Sequence, residues 1–314
     1  MIAGMARGIC HINRLVRAPL CIFYCHGHNH GAAGPFPMKT CLRSRGDSAN
    51  QTVMTPSVIC IGSALWDVIG TTDRPMKPGH DVPGQIERRT GGVALNVALA
   101  ISDRGLRPSL LSAIGWDPAG KELIDAIEDR DVDCSHVTRT CRPTDIYMAI
   151  ESKGEVFAAI ADCASLEATG SDVLAALRDG RLGGPKQPFR GIAVVDGNLP
   201  VEVIEDMVAK GDLSAARTYF VPASPGKAAR LASALNAASA TLVVNRIEAE
   251  ILCETRFATS AEAARALARM SADAIVTDSA APAALIRNGT LTQAQPPVVT
   301  ARNLTGAGDA FLAG

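Results

Sequence analysis

The residues best suited to chemistry lie at the end of the sequence, where a glycine-rich turn, an acid and an apolar helical turn follow one another. Because Gly306 and Gly308 lack Cβ atoms, successive backbone N–H groups can point into one concavity at a helix N-terminus, where the helix dipole also favours an anion. The sequence therefore predicts a phosphate-binding anion hole made of Thr305, Gly306, Ala307 and Gly308.

Asp309 follows this predicted anion hole directly. Bound phosphate would repel a carboxylate, so the acid indicates a role at the acceptor end, where it takes the proton from an attacking hydroxyl during phosphoryl transfer. The P-loop pattern G-x-x-x-x-G-K-[ST] is absent from the sequence, which disfavours that class. The alternative interpretation is a plain helix N-terminus preceded by a glycine turn.

A second glycine motif lies in the N-terminal half, where Gly91 and Gly92 lead into a small-residue segment that contains Asn96. The two motifs, in this order, resemble those of the PfkB (ribokinase-like) carbohydrate and nucleoside kinases, which carry an early G-G-x-x-x-N sugar motif and a late T-G-A-G-D motif. The resemblance spans Val58 to Gly314. It implies ATP as phosphoryl donor, Mg²⁺ as cofactor, and a monovalent cation such as K⁺ near the anion hole, where Asn303 replaces the usual acid.

The resemblance also implies the substrate-binding residues. The segment Ile61–Asp67 looks like the family's first strand with its sugar-binding acid, and Asp67 would accept hydrogen bonds from two hydroxyls at the carboxyl end of that strand. Gly91 and Gly92 would let a loop approach the sugar, and Asn96 would offer a donor and an acceptor. The alternatives are a turn cap for Asp67 and tight helix–strand packing for the glycines.

The nucleotide side is implied by the Asn245-x-x-Glu248 segment, which looks like the family's magnesium and phosphate motif. Glu248 would organise Mg²⁺ largely through water, and Asn245 would support the phosphates. Without the resemblance, Glu248 is a first-turn acid that the helix dipole favours. Thr277 ends a strand that in the family leads to a nucleotide-binding loop, although the usual glycines are missing after it.

Within the family, several segments look most like those of pseudouridine kinases: Pro143–Ile150, Phe157–Asp162, Asp196–Pro200 and the asparagine at 303. The implied reaction is phosphorylation of the 5′-hydroxyl of pseudouridine, with Asp162 as an acceptor for the extra ring N–H. Leu65 stands where many relatives carry asparagine, so ribokinase-, fructokinase- and adenosine kinase-like substrates stay as alternatives. A dinucleotide-binding oxidoreductase is disfavoured because Gly62 begins no G-x-G-x-x-G motif.

Apolar runs alternate with helical segments after Val58, which predicts parallel βαβ units. The resemblance implies a ribokinase-like three-layer αβα domain over 54–314, with a mostly parallel central sheet and a small β lid from about 69–89 and 146–162. Predicted strands are Val58–Ile61, Ser109–Ala113, Ile192–Val195, Thr218–Val221, Thr241–Val244 and Ala274–Thr277. Predicted helices are Val93–Asp103, Ala119–Arg130, Val201–Lys210, Gly226–Ala237, Glu248–Glu254 and Ser260–Met270.

Residues 1–53 differ in composition, with six Lys or Arg against one acid, four of the six histidines and four of the nine cysteines. We expect a disordered or mis-assigned extension, with Met54 as the natural start; a zinc site within Cys21–His30 is the alternative. The end at Gly314 predicts a truncated chain, or alternatively an inactive ligand-binding kinase.

A net charge of −1 disfavours nucleic-acid and anionic-membrane partners. The scattered cysteines after residue 53, with no C-x-x-C motif, predict a reduced cytoplasmic compartment. A small-molecule substrate is what the family resemblance implies. In the resembled family the lid often forms dimer contacts, so a homodimer through the lid is also expected.

Overall fold

The computed structural model describes residues 55–234, 240–271, 273–298 and 306–314. The strands are β1 (Val58–Ile61), β2 (Leu65–Thr72), β3 (Gln85–Gly91), β4 (Ser109–Leu111), β5 (Ala113–Gly115), β6 (Thr138–Thr140), β7 (Ile146–Ser152), β8 (Glu155–Asp162), β9 (Ile192–Asp196), β10 (Arg217–Val221), β11 (Ala240–Asn245), β12 (Asp273–Asp278), β13 (Ala281–Arg287) and β14 (Thr290–Ala294). The helices are α1 (Val93–Ser102), α2 (Pro118–Glu128), α3 (Ala164–Thr169), α4 (Val201–Lys210), α5 (Arg246–Leu252), α6 (Ser260–Leu267) and α7 (Ala307–Leu312), and two 3₁₀ segments cover Gly170–Leu177 and Pro225–Ala234.

The large sheet has the order β14-β13-β12-β11-β10-β9-β1-β4. The strands from β12 to β4 are parallel to their neighbours, whereas β13 and β14 add an antiparallel edge. The sheet is therefore mostly parallel, as the sequence predicts. Its carboxyl-terminal edge gathers the loops that follow β1, β9, β10 and β11, and ligands bind at such edges in open α/β sheets.

Both faces of the large sheet are covered, as strand β1 shows. Its alternate residues Ile59 and Ile61 are fully buried in one cluster together with residues of α4, α5 and α6. Val58 and Cys60 belong to a second cluster, which contains residues of α1 and α2. Because neighbouring strand residues point to opposite faces, the two clusters are the two interfaces of a three-layer αβα domain. This confirms the predicted fold class.

A second, four-stranded sheet has the order β3-β2-β7-β8 and forms the β lid. Strands β7 and β8 form a hairpin over the predicted lid segment 146–162, with Lys153 and Gly154 at a turn where both residues have positive φ. The 69–89 segment is an antiparallel pair, β2 and β3, joined by residues 73–84. The lid therefore uses both predicted segments, but it begins earlier, at Leu65.

Several elements differ from the sequence predictions for local reasons. The predicted strand Ser109–Ala113 divides into β4 and β5, which pair with different partners. Helix α5 begins two residues before the predicted Glu248, because Asn245 caps it. The hairpin of β13 and β14 was not predicted. The extension 1–53, its proposed zinc ligands and Met54 lie outside the described residues. So do residues 235–237 of the predicted helix Gly226–Ala237, whose described part is the 3₁₀ segment Pro225–Ala234.

Within the described ranges, no helix is both long enough and apolar enough to cross a bilayer.

Candidate active site

A cavity of about 490 Å³ opens between the carboxyl-terminal edge of the large sheet and the lid. Its size is typical of small-molecule sites. A larger groove of about 740 Å³, which begins at Thr55–Ser57 before β1, contains none of the predicted site residues. The smaller cavity is lined by seven residues predicted from the sequence, namely Asp67, Gly92, Asn96, Asn245, Gly306, Gly308 and Asp309.

Asp309 lies in the first turn of α7 and is half-buried. Its Oδ2 accepts a hydrogen bond from Asn96 Nδ2 at 3.0 Å. Burial raises the pKa of Asp309 to about 6, the charges of Asp196 and Asp67 add to this rise, and the hydrogen bond from Asn96 opposes it. A carboxylate with such a pKa is ionised at neutral pH and still basic enough to accept a proton from a hydroxyl.

In the turn before Asp309, Gly306 has φ of 79°, in the left-handed region that glycine favours. The first hydrogen bond of α7 runs from Ala310 N to Gly306 O at 2.9 Å. The N–H groups of Ala307 and Gly308 precede that bond and have no acceptor within the helix. Thr305, the fourth residue of the predicted anion hole, and Asn303 lie outside the described residues.

Asp67 lies on a different element from the one predicted. The parallel strand β1 ends at Ile61, and Asp67 belongs to lid strand β2, which pairs with β3 and β7 and not with the large sheet. Its side chain is largely buried, and Oδ2 lies 3.8 Å from Arg89 Nε. Burial raises the pKa of Asp67 to about 6, against the lowering effect of Arg89. The acid thus reaches the cavity from the lid and not from the sheet edge.

The glycine pair serves packing in the structure. A Cβ on Gly91 would overlap the carboxyl group of Asp67, and a Cβ on Gly92 would lie 2.6 Å from the Ser63 carbonyl oxygen. Gly92 also has φ of 98°, which favours glycine. The pair therefore makes room for Asp67 and for the start of α1, which is the packing alternative considered for the sequence. Gly92 in addition lines the cavity.

Asn245 and Glu248 hold each other in a capping box at the start of α5. Asn245 Oδ1 accepts from Glu248 N, and Glu248 Oε2 accepts from Asn245 N, both at 2.9 Å. Glu248 is only 7% exposed. Burial first, and then the charge of Asp309, raise the pKa of Glu248 to about 7, while its hydrogen bonds with Asn245 oppose the rise. The structure shows the helix-capping role of Glu248, and its role toward Mg²⁺ stays a prediction.

The donor set fits Mg²⁺ held largely through water. Among the described residues, no group of three or more His, Cys, Asp or Glu side chains is arranged to hold a metal ion. Glu248, which is buried, and Asp309, which is half-buried, nevertheless form a pair of like charges, because the charge of Asp309 raises the pKa of Glu248. A cation between them would relieve that repulsion. Mg²⁺ retains much of its water shell and needs few protein ligands.

Five predicted site residues within the described ranges do not line the cavity, namely Gly91, Asp162, Glu248, Thr277 and Ala307. Thr277 lies near the end of β12, paired with Asn245 on the neighbouring strand. Asp162, at the end of β8, is exposed, and its Oδ1 accepts a hydrogen bond from Ala164 N at 3.0 Å. The lid residues that do face the cavity near Asp162 are its neighbours Ala161 and Cys163.

A buried polar network beneath the cavity was not assigned a role from the sequence. Asp196 is fully buried, and its Oδ2 accepts from Ser63 N at 2.8 Å, Ser63 Oγ at 2.6 Å and Ala94 N at 3.0 Å. Asn198 lies two residues later, and Lys227 contacts it from the segment after β10. The Asp196–Pro200 run was noticed only as a point of resemblance. The hydrogen bonds of this network join residues that lie far apart in the chain, so no local sequence pattern indicates them.

Solved structures share this fold. A carbohydrate kinase from Agrobacterium tumefaciens has a TM-score of 0.66 at 23% identity and covers 82% of this chain and 81% of its own. The ribokinase of Arabidopsis thaliana, solved with ribose and ATP, has a TM-score of 0.65 at 19% identity, and the match covers 83% of this chain and 84% of the ribokinase. The fold is therefore that of the ribokinase-like kinases.

The chain belongs to the pfkB family of carbohydrate kinases, whose model matches residues 55–314. A curated relative, the pseudouridine kinase of Escherichia coli (strain K12), is 27% identical over 272 residues, which cover 82% of each chain. Kinases of this family use ATP and act on an alcohol group of a sugar or nucleoside. That assignment agrees with the acid and the helix N-terminus found together in the cavity.

Proposed function

We propose that this chain transfers the γ-phosphoryl group of ATP to the 5′-hydroxyl of a ribosyl compound, and that the compound is pseudouridine. The observation that carries the proposal is that Asp309, from α7, and Asp67, from the lid, line one cavity, close enough that the charge of Asp67 raises the pKa of Asp309. Asp309 takes the proton from the reacting hydroxyl, and Asp67 accepts hydrogen bonds from the other hydroxyls of the sugar.

The donor side follows from the same geometry. The backbone N–H groups of Thr305, Gly306, Ala307 and Gly308 are proposed to stabilise charge on the transferring phosphoryl group, since Gly306, Ala307 and Gly308 lie at a helix N-terminus beside Asp309. Asn245 and Thr277, at the ends of neighbouring strands, support the nucleotide. Mg²⁺, held mainly through water near Glu248, supplies charge neutralisation of the phosphates, and K⁺ is proposed near the anion hole.

The choice of pseudouridine is supported by a curated relative, a pseudouridine kinase, which is 27% identical over 82% of this chain. The extra ring N–H of pseudouridine needs an acceptor, and the sequence suggests Asp162. Glu151 is a second acceptor, because its side chain lines the cavity from β7. Uridine lacks that donor and would leave the acceptor unpaired, which can produce strong discrimination.

The direct test supplies the full chain with ATP, Mg²⁺ and each of pseudouridine, uridine, adenosine, ribose and fructose. We expect the highest kcat/KM for pseudouridine. A preference for a free sugar would keep the kinase and reject the substrate. Tight binding of a nucleoside without turnover would favour the alternative of an inactive ligand-binding kinase, which the missing glycines after Thr277 also suggest.

The partner proposed for the lid is a second copy of the chain. Apolar side chains cover its outward face, including Ile86 at 81% exposure, Met148 at 49% and Ile160 at 71%. Exposed apolar patches of this kind mark association sites. Residues of the same strands that face inward line the cavity, so a dimer would fix the lid that closes over the substrate.

A further inference from the structure

Lys227 brings a positive charge into the cavity and has no role in the proposed phosphoryl transfer. It lies in the 3₁₀ segment Pro225–Ala234, is half-buried, and lines the cavity. Its Nζ donates a hydrogen bond to Asn198 Oδ1 at 2.6 Å and lies 4.0 Å from Cys163 Sγ. The ammonium group is therefore held at one defined place in the cavity wall.

The acceptor of that hydrogen bond is itself fixed by the buried network. Asn198 Nδ2 donates to Ser63 Oγ at 2.9 Å, and Asn198 N donates to Asp196 Oδ1 at 2.5 Å. Both Asn198 and Asp196 are buried, with exposures of 7% and 0%. Because Ser63 Oγ holds Asn198 Nδ2, the side-chain amide oxygen Oδ1 of Asn198 is directed toward Lys227. Much of the entropy cost of ordering the lysine side chain is met before any ligand arrives.

An ammonium group carries three donors. Among the described residues, Asn198 Oδ1 is the oxygen within hydrogen-bonding distance of Lys227 Nζ, and the Cys163 thiol is a weak acceptor. Donors therefore remain for a ligand in the cavity. The ligand group must be an acceptor, either a neutral carbonyl oxygen or an anion.

The charges around Lys227 favour the neutral acceptor. Burial raises the pKa of the neighbouring Cys163 to about 11, and although Lys227 lowers it, Asp145, Asp196 and Glu167 all act in the raising direction. Three acids thus lie near the lysine, and they favour a neutral acceptor over a further anion. A carbonyl oxygen uses the N–H donors without adding one.

Lys227 has different neighbours from the two acids proposed to handle the sugar. Lys227 Nζ contacts Asn198 Oδ1 and Cys163 Sγ. Asp309 contacts Asn96, and Asp67 lies beside Arg89. With the reacting hydroxyl at Asp309 and the other hydroxyls at Asp67, the part of a nucleoside left to reach Lys227 is its base.

We infer that Lys227, positioned by Asn198, donates a hydrogen bond to a ring carbonyl of the nucleobase and so selects pyrimidine nucleosides over free sugars. This inference rests on the proposed function, because it places the sugar between Asp309 and Asp67. It makes Lys227 a specificity-determining residue of the substrate side of the cavity.

The test compares the full wild-type chain with Lys227→Met, which keeps an unbranched stem of similar length and removes the donors. Calorimetry measures binding of pseudouridine and of ribose, and kinetics with ATP give kcat/KM for both. We expect pseudouridine affinity and kcat/KM to fall roughly tenfold or more, and the pseudouridine-to-ribose ratio to fall with them. Lys121→Met, on an exposed helix face, is the control and should leave the ratio as in the wild type.

Equal losses for pseudouridine and ribose would overturn the inference, since Lys227 would then only hold its loop, and so would no loss for either. Lys227→Arg, which keeps donors, should retain part of the selectivity and serves if the methionine variant unfolds in a melting experiment. If the wild type phosphorylates ribose but not pseudouridine, the inference is wrong and the protein is still a kinase. If the wild type binds pseudouridine without turnover and Lys227→Met weakens that binding, the proposed reaction is wrong and the inference stands.

Discussion

Asn96 donates a hydrogen bond to Asp309 across 213 positions of sequence, with Nδ2 and Oδ2 3.0 Å apart. The sequence predicted that Asn96 would bind the sugar, and the structure places it on the proposed base. The hydrogen bond counters the effect of burial on the pKa of Asp309. Asn96 therefore helps to keep the base both in position and ionised.

Replacing Asp309 by Asn should lower kcat by roughly 10²-fold or more, because the general base is lost while the sugar contacts remain. Steady-state kinetics and calorimetry on the same preparation separate the two effects. Asp129→Asn, at the exposed end of α2, is the matched control. Near-normal kcat for Asp309→Asn would mean that another group accepts the proton.

The pKa of Asp309, raised to about 6, predicts the direction of the pH dependence. The base works only when ionised, so kcat/KM should fall as the pH decreases through about 6 and should level off above it. Asn96→Ala removes a donor that lowers this pKa, so the acid limb should move to higher pH. Ser102→Ala, whose hydroxyl donates to Arg130 O from the same helix, should leave the limb in place. A change in KM alone for Asn96→Ala would assign Asn96 to the sugar.

Much of the fold was predictable because its signals are local. Buried apolar runs such as Val58–Ile61 mark parallel strands, and the bounds of helix Val201–Lys210 agree with those predicted. The hairpin of β13 and β14 was missed because Pro282 and the alanines around it give no clear alternation of apolar and polar residues. The order of the strands depends on contacts between distant segments.

Gly91→Ala should destabilise the protein and weaken substrate binding, because the new Cβ would overlap the carboxyl group of Asp67. Overpacking of this kind costs about 1–3 kcal/mol. Gly70→Ala, in lid strand β2, has its nearest neighbour at 3.9 Å and is the matched control. Urea unfolding and nucleoside calorimetry test the pair, and equal behaviour of the two variants would show that the space around Asp67 is not limiting.

Arg178 should contribute measurably to stability, because it joins two acids at the end of α4. It donates to Asp212 Oδ2 from Nη2 at 2.6 Å and lies 2.8 Å from Asp206 Oδ2. The Asp212 side chain is only 7% exposed, so Arg178→Ala leaves a buried charge without its partner and should cost about 1–3 kcal/mol in urea unfolding. Arg181→Ala, which loses only an exposed pair with Asp179, should cost less than about 1 kcal/mol.

The same cluster predicts loss of stability in acid. Hydrogen bonds from Lys210, and then from Ser171 and Arg178, lower the pKa of Asp206 to about 2. An unfolded Asp titrates near 3.9, so the stabilisation is complete above about pH 4 and is lost as the pH falls toward 2. In Asp206→Asn, the free energy of unfolding should depend less on pH over that interval. An unchanged dependence on pH would show that Asp206 is not its source.

The site was predictable only in part. The motif acids and glycines stand in short patterns, and seven of these predicted residues line one cavity. Asp67 was placed on the wrong element because a strand end at Ile61 and a lid strand from Leu65 look continuous in sequence. Lys227 and Asp196 were missed because their roles depend on hydrogen bonds with Asn198 and Ser63. The hydrogen bonds of this network span up to 135 positions of sequence.

Charging the outward face of the lid should prevent association. Ile160→Glu places a carboxylate in the exposed apolar surface, and sedimentation should then give a monomer where the wild type gives a dimer. Thr290→Glu, on the exposed edge of the large sheet, should leave the dimer intact. A monomeric wild type would reject the proposed homodimer, whatever the variants do.

Helix α1 ties together two carboxylates that lie far apart in the chain. Ala94 N donates to the buried Asp196, and Asn96, two residues later, donates to Asp309. A shift of that single helical turn would displace the base relative to the sheet. For chimaeras built from relatives, the C-terminal segment and α1 therefore form one exchangeable unit, and a graft that carries the base without its matching helix would separate the acid from the residue that orients it.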